Sequence, residues 1–82
     1  MTAGQLARAG GFLRAARLIR RGHDDGFIAQ SLDEQFPNQP LDVVLQVIAL
    51  AHQGVEAADR LLALQEGASL PLTALPNITT LP

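Results

Sequence analysis

Apolar residues recur at spacings of three and four most regularly over Leu41, Val44, Leu45 and Ile48, with Ala51 or His52 closing the series. That period predicts a helix with one buried stripe over about 41–52. Pro40 fits its first position, where a missing N–H costs nothing. Gln53-Gly54 reads as a tight break, because glycine takes a positive φ cheaply and often ends a helix. A further helix is predicted over about 55–66, with Val55, Ala58, Leu62 and Gln65 on one face, Leu61 beside them, and Gly67 ending it. Upstream, Ile28, Leu32 and Phe36 form the stripe of a helix that begins at Asp24 or Asp25, either of which suits the N-cap, and runs to about Gln35. Pro37 stops it.

The first segment, about 5–21, places Ala9, Phe12, Ala16 and Ile19 on one helical face with Leu13 at its edge, and Arg14, Arg17 and Arg21 on another. This predicts a basic amphipathic helix. Gly10-Gly11 weakens its first half by about 1 kcal/mol per glycine, so the firm helix is expected from near Gly11. Gly22 is placed as a left-handed cap, with Arg20 and Arg21 favourably set against the helix dipole. The tail, 68–82, differs in kind: it has no charge, and Pro71, Pro76 and Pro82 alternate with Leu70, Leu72, Leu75, Ile78 and Leu81. Proline disfavours helix, and uncharged leucines do not suit a solvated linker. The expectation is an extended arm, polyproline-like or strand-like, whose leucines are covered by another surface.

Composition narrows this picture. A chain of 82 residues is one small domain that buries about 60–65% of its unfolded surface. With no Trp, no Tyr and three Phe, the core must be built from Leu, Ile, Val and Ala, which suits helix-on-helix packing. The absence of cysteine excludes disulfides, thiolate metal sites and cysteine nucleophiles. The longest uncharged apolar run falls short of about 20 residues, so no bilayer-spanning segment is expected. Nor is a secretory signal peptide read.

Charge is asymmetric beneath a formal net of -2. Arg8, Arg14, Arg17, Arg20 and Arg21 all precede the first acid, Asp24, and the rest of the chain sets every acid against Arg60 alone. The five leading arginines are candidates for contact with phosphates or an acidic surface, an interaction insensitive to nucleotide sequence and sensitive to salt. Solvation of the outer helix face, or pairing with the acidic body of the chain, accounts for them equally well. An Arg-rich, acid-free start also has the character of an import presequence. Two helices around the turn at 36–40 allow a helix-turn-helix reading, but the second helix has no Arg or Lys and carries Asp42, which argues against it. Exclusive use of arginine is associated with a GC-rich genome, hence a bacterial or phage source and a location in the virion or bacterial cytoplasm.

No catalytic, cofactor-binding or metal-binding arrangement emerges. His23 and His52 fall at helix ends without a third ligand. Ser31 and Ser69 lack a nucleophile setting. Asp24-Asp25 and Asp33-Glu34 read as capping and exposed-face acids. Ser31-Leu32-Asp33-Glu34 spells a capping box inside a helix, and Asn77-Ile78-Thr79 spells a glycosylation acceptor without a secretory context.

Phe36-Pro37 closing one helix, Val44, Leu45 and Ile48 along the next, and Gly54-Val55-Glu56-Ala57-Ala58 leading to Leu61-Leu62 together resemble the CUE branch of the ubiquitin-associated (UBA-like) three-helix domains. The resemblance covers about 25–65. It implies a three-helix bundle over 23–67 and leaves the basic helix over 1–22 and the arm over 68–82 outside it. In that family a Met-Phe-Pro turn and a di-leucine contact ubiquitin, and the matching positions here are Gln35, Phe36, Pro37, Leu61 and Leu62. Gln35 replaces the family's methionine and removes an apolar contact, so ubiquitin itself is not the expected partner. The overall expectation is an all-α, non-enzymatic structural or protein–protein interaction component of a larger assembly, such as a phage particle, anchored to a larger subunit by its arm. A CUE-type adaptor and a nucleic-acid binder are the alternatives.

Overall fold

The computed structural model describes the backbone of residues 1–74 and the side chains of residues 1–66. Among these the protein is all-α: a first arm bent within itself, a second helix, and one long third helix. The first arm opens at Thr2, whose hydroxyl accepts from the Gln5 backbone N–H at 3.2 Å while the Gln5 side chain accepts from the Thr2 N–H at 2.9 Å. This reciprocal pair satisfies two donors that a helix start leaves open. Helix α1 (Ala3–Leu6) passes into a widened π-type turn over Ala7–Gly11, where Gly10 stands at φ 121°, and α2 (Phe12–Arg20) resumes.

Gly22, at φ +86°, ends α2 as expected. Its N–H bonds the Ile19 carbonyl at 2.9 Å and the His23 N–H bonds the Leu18 carbonyl at 3.1 Å, the paired closure of a Schellman cap. Asp24 then caps α3 (Asp25–Gln35), accepting from the Phe27 N–H at 2.8 Å. Asn38, at φ 68°, turns the chain. Helix α4 (Leu41–Ala74) begins beyond Pro40, whose carbonyl takes the first helical bond from Val44, so proline stands one position before the helix rather than within it.

The three arms pack up-down-up. Phe12 lies against Gly54 and Arg20 meets Asp59, so α2 and α4 run the same way. At the opposite polarity, the start of α3 reaches His52 through Asp25, while Phe36 at its end lies beside Gly10. Between them the core is Leu6, Ala15 and Leu18 from the first arm, Ile28 and Leu32 from α3, and Val44, Val47, Ile48 and Ala51 from α4. Of the predicted stripes, Ile28, Leu32, Val44, Ile48 and Ala51 are buried and Phe36 is half-buried, whereas Leu41 and Leu45, expected on the buried face of α4, are exposed.

Three expectations need correction. The first arm turns a different face inward: Leu6, Ala15 and Leu18 are buried, Phe12, Ala16 and Ile19 lie half-buried at the margin, and Ala9 and Leu13 are exposed. Within α2 the buried line, Ala15 and Leu18, lies one residue before the expected Ala16 and Ile19, and the bend at Gly10 sets Leu6 on a separate turn. The break at Gln53-Gly54 is absent, and the two helices expected over 41–52 and 55–66 are one. Gly54 is there for space: a Cβ at this position would lie 2.7 Å from Cζ of Phe12.

The tail is also not extended from residue 68, because α4 continues to Ala74 through Pro71. A helix already several turns long needs only to propagate, and proline removes one backbone donor rather than stopping it outright. Leu70 and Leu72 lie on this helical backbone, with side chains outside the described residues. Leu75, Ile78 and Leu81 lie outside them altogether.

Candidate functional site

Two surfaces bring together side chains whose placement the packing of the bundle does not explain. The first is the continuation of the α4 core stripe. Val44, Val47, Ile48 and Ala51 are covered by the other helices, Val55 and Ala58 are half-covered, and Leu62, next on the same line, is 54% exposed. Leu61, one residue before it and about a quarter-turn round, is 57% exposed, and Leu64, on the far side of the helix, is 70% exposed. The cover ends where α2 ends, at the Arg20–Asp59 pair with Nη1 to Oδ1 of 3.2 Å. From there to Ala74 α4 projects about 21–23 Å at 1.5 Å per residue.

The stretch Leu41–Glu66 also meets the length and composition of a membrane-crossing helix, with a mean hydropathy of 1.2 over its most apolar window. Length and composition alone set that criterion, and the core helix of a helical bundle meets it too. In this fold the first half of that stretch supplies four core residues to the bundle, and Asp25 and Arg20 bind His52 and Asp59 along it.

The second surface is a cleft of about 290 Å³ between α2 and α3. Arg14, Leu18 and Arg21, spaced four and three, come from α2, and Phe27, Gln30, Ser31 and Glu34 face them from α3, with His23 from the connecting loop. Ser31 is the buried polar side chain of the core region, at 7% exposure. Its hydroxyl accepts from Nε of Arg14 at 3.0 Å, which satisfies the hydroxyl and fixes the guanidinium from across the cleft. The His23 and Phe27 rings stack, 4.1 Å between centroids and 15° from parallel.

The predicted arginine face is thus divided. Arg14 and Arg21 line the cleft, Arg20 pairs with Asp59, and Arg8 and Arg17 are exposed elsewhere on the first arm. The CUE-type positions are not brought together: Gln35, Phe36 and Pro37 sit where α3 ends and α4 is about to begin, and Leu61 and Leu62 lie about 30 Å along an unbroken α4. Phe36 is half-buried against the core, while Gln35 and Pro37 are exposed. His52 is held by Asp25 at 2.8 Å. Among the described residues no three His, Asp or Glu side chains converge as metal ligands would.

Sequence reasoning did not find Ser31 as a partner for Arg14, nor the cleft. The signal was present in two facing stripes, Arg14, Leu18, Arg21 and Phe27, Ser31, Glu34, each at helical spacing. Comparison with family models, with curated proteins and with solved structures returns no match.

Proposed function

We propose that this protein is a non-enzymatic docking component of a larger assembly, and that it binds a neighbouring subunit through the apolar stripe that α4 carries past the bundle. The observation that supports this is the sequence of exposures along one helical line, from buried Val47, Ile48 and Ala51 through half-buried Val55 and Ala58 to open Leu62, with exposed Leu61 next to it. A helix face of this kind suits a groove or helix of a partner subunit. The leucines placed further on by the sequence, from Leu70 to Leu81, would extend the same contact, and a virion is one setting for such a component.

The test is co-purification of the tagged chain from its native cells, with Leu61 and Leu62 intact or both replaced by Gln. The double variant should keep its helical circular dichroism and thermal melt, because both side chains lie outside the core, and should lose the subunit that accompanies the intact protein. Retention of the same subunit in the same amount would remove the support for this surface.

A further inference from the structure

The cleft between α2 and α3 has the features of a ligand site rather than of a solvated helix face. Arg14 is not free to wander, since Ser31 holds its Nε at 3.0 Å and leaves the two terminal amino groups of the fork uncommitted within the described residues. Arg21 stands two turns along the same helix face. Among the described residues the ion pairs formed are Arg20–Asp59 and His52–Asp25, so neither cleft arginine is neutralised by a carboxylate. Glu34 also lines the cleft, one turn beyond Ser31 and away from Phe27. An anion is therefore favoured toward Arg21 and His23.

That end carries the aromatic stack. Phe27 is 47% exposed although it sits on a small protein with two other phenylalanines half-buried. One ring face meets His23, and the remaining exposed surface is open to a second planar group. Guanidinium groups matched to phosphate oxygens, beside an aromatic face on which a ring can stack, are the combination that recognises a nucleotide unit. Gln30 adds a donor and an acceptor at the rim for the ring edge. The volume, about 290 Å³, lies at the small end of ligand sites, so a single nucleotide fits better than a dinucleotide.

We infer that this cleft binds a nucleotide unit, its phosphate between Arg21 and Arg14 and its base stacked on Phe27. A free mononucleotide and one residue of a single-stranded nucleic acid present the same phosphate and ring, and the titration below separates the two sources. The inference is independent of the docking role proposed for α4.

The experiment is titration of the full, isotope-labelled chain with adenosine monophosphate, inorganic phosphate and a thymidine oligonucleotide, followed by NMR. With the mononucleotide, resonances of Arg21, His23, Phe27 and Ser31 should move, and binding should be about 10-fold tighter than for inorganic phosphate because the ring contributes. Phe27→Ala and Arg21→Ala, both at exposed positions, should each weaken binding about 10-fold with circular dichroism unchanged. Phe27→Leu, which keeps apolar bulk but no ring, should fall with the alanine variant. An oligonucleotide that binds about 10-fold more tightly than the monomer, with affinity falling as salt rises, identifies nucleic acid as the source; equal affinities identify the free nucleotide. Phosphate binding as tightly as the mononucleotide, shifts confined to other surfaces, or unchanged binding by Phe27→Leu would each overturn the inference.

Discussion

Gly54 and Gly22 are both needed, for opposite reasons that single substitutions separate. Gly54 has ordinary helical surroundings, but a Cβ would meet Phe12 at 2.7 and 3.0 Å. Alanine would gain about 1 kcal/mol of helix propensity and incur about 1–3 kcal/mol of overpacking. Gly54→Ala should therefore be destabilised by about 1 kcal/mol in urea denaturation. In a Phe12→Leu background, where the ring tip is gone, the same alanine should instead stabilise, and a thermodynamic cycle without coupling between the two positions would refute the contact. Gly22 has nothing within 4 Å of a built Cβ but stands at φ +86°. Gly22→Ala should cost about 1–2 kcal/mol through backbone strain alone, with no rescue by trimming a neighbour. Asp24→Ala, which removes the acceptor for the Phe27 N–H, should lower the melting free energy by about 1 kcal/mol.

At the level of elements, the continuity of α4 is open to direct measurement. Spin labels replacing the exposed Leu45 and Leu61 should report a separation of about 24 Å in backbone terms if the helix runs unbroken through Gly54. A markedly shorter and broader distribution would restore a break there. The elements that the sequence made legible are those fixed by local chemistry: the Gly22 cap, the Asp24 N-cap, the end of α3 before Pro37, and the buried line Ile28, Leu32, Val44 and Ile48. Each depends on residues within about one or two turns. What was not legible depends on contacts between elements. Nothing local to Gly54 reveals Phe12, which lies on another helix, and a glycine required for space is spelled like one required for a turn. Gly10 marks weakness in the first arm but not the direction of its bend, and the choice of Ala15 and Leu18 over Ala16 and Ile19 as the inward line of α2 is set by the helices packed against it. Thr2 and Gln5 spell a capping box ahead of that bend, a local signal for a helix start at Ala3. The arginine face was visible as a face, yet its division among cleft, ion pair and solvent needed the positions of Ser31 and Asp59.

For the whole molecule, the central question is whether the projecting part of α4 serves the bundle or a partner. Every core residue lies at or before Ala51, and the last tie between α4 and another helix among the described side chains is Arg20–Asp59. That pair is largely exposed, with 49% and 59% of its side-chain surfaces open to solvent, and contributes about 0–1 kcal/mol. A chain ending after Arg60 should therefore keep the same fold and lie within about 1 kcal/mol of the intact protein in urea denaturation, the difference reflecting fraying of the new helix end. It should also lose the subunit held by the intact chain, since Leu61, Leu62 and Leu64 go with the removed segment. Stability and docking would then be carried by different halves of one continuous helix. A loss of several kcal/mol would have the opposite meaning: the stripe would be covered within the chain itself, where burial of a leucine side chain is worth about 1.5–3 kcal/mol, and its exposure would no longer argue for a partner.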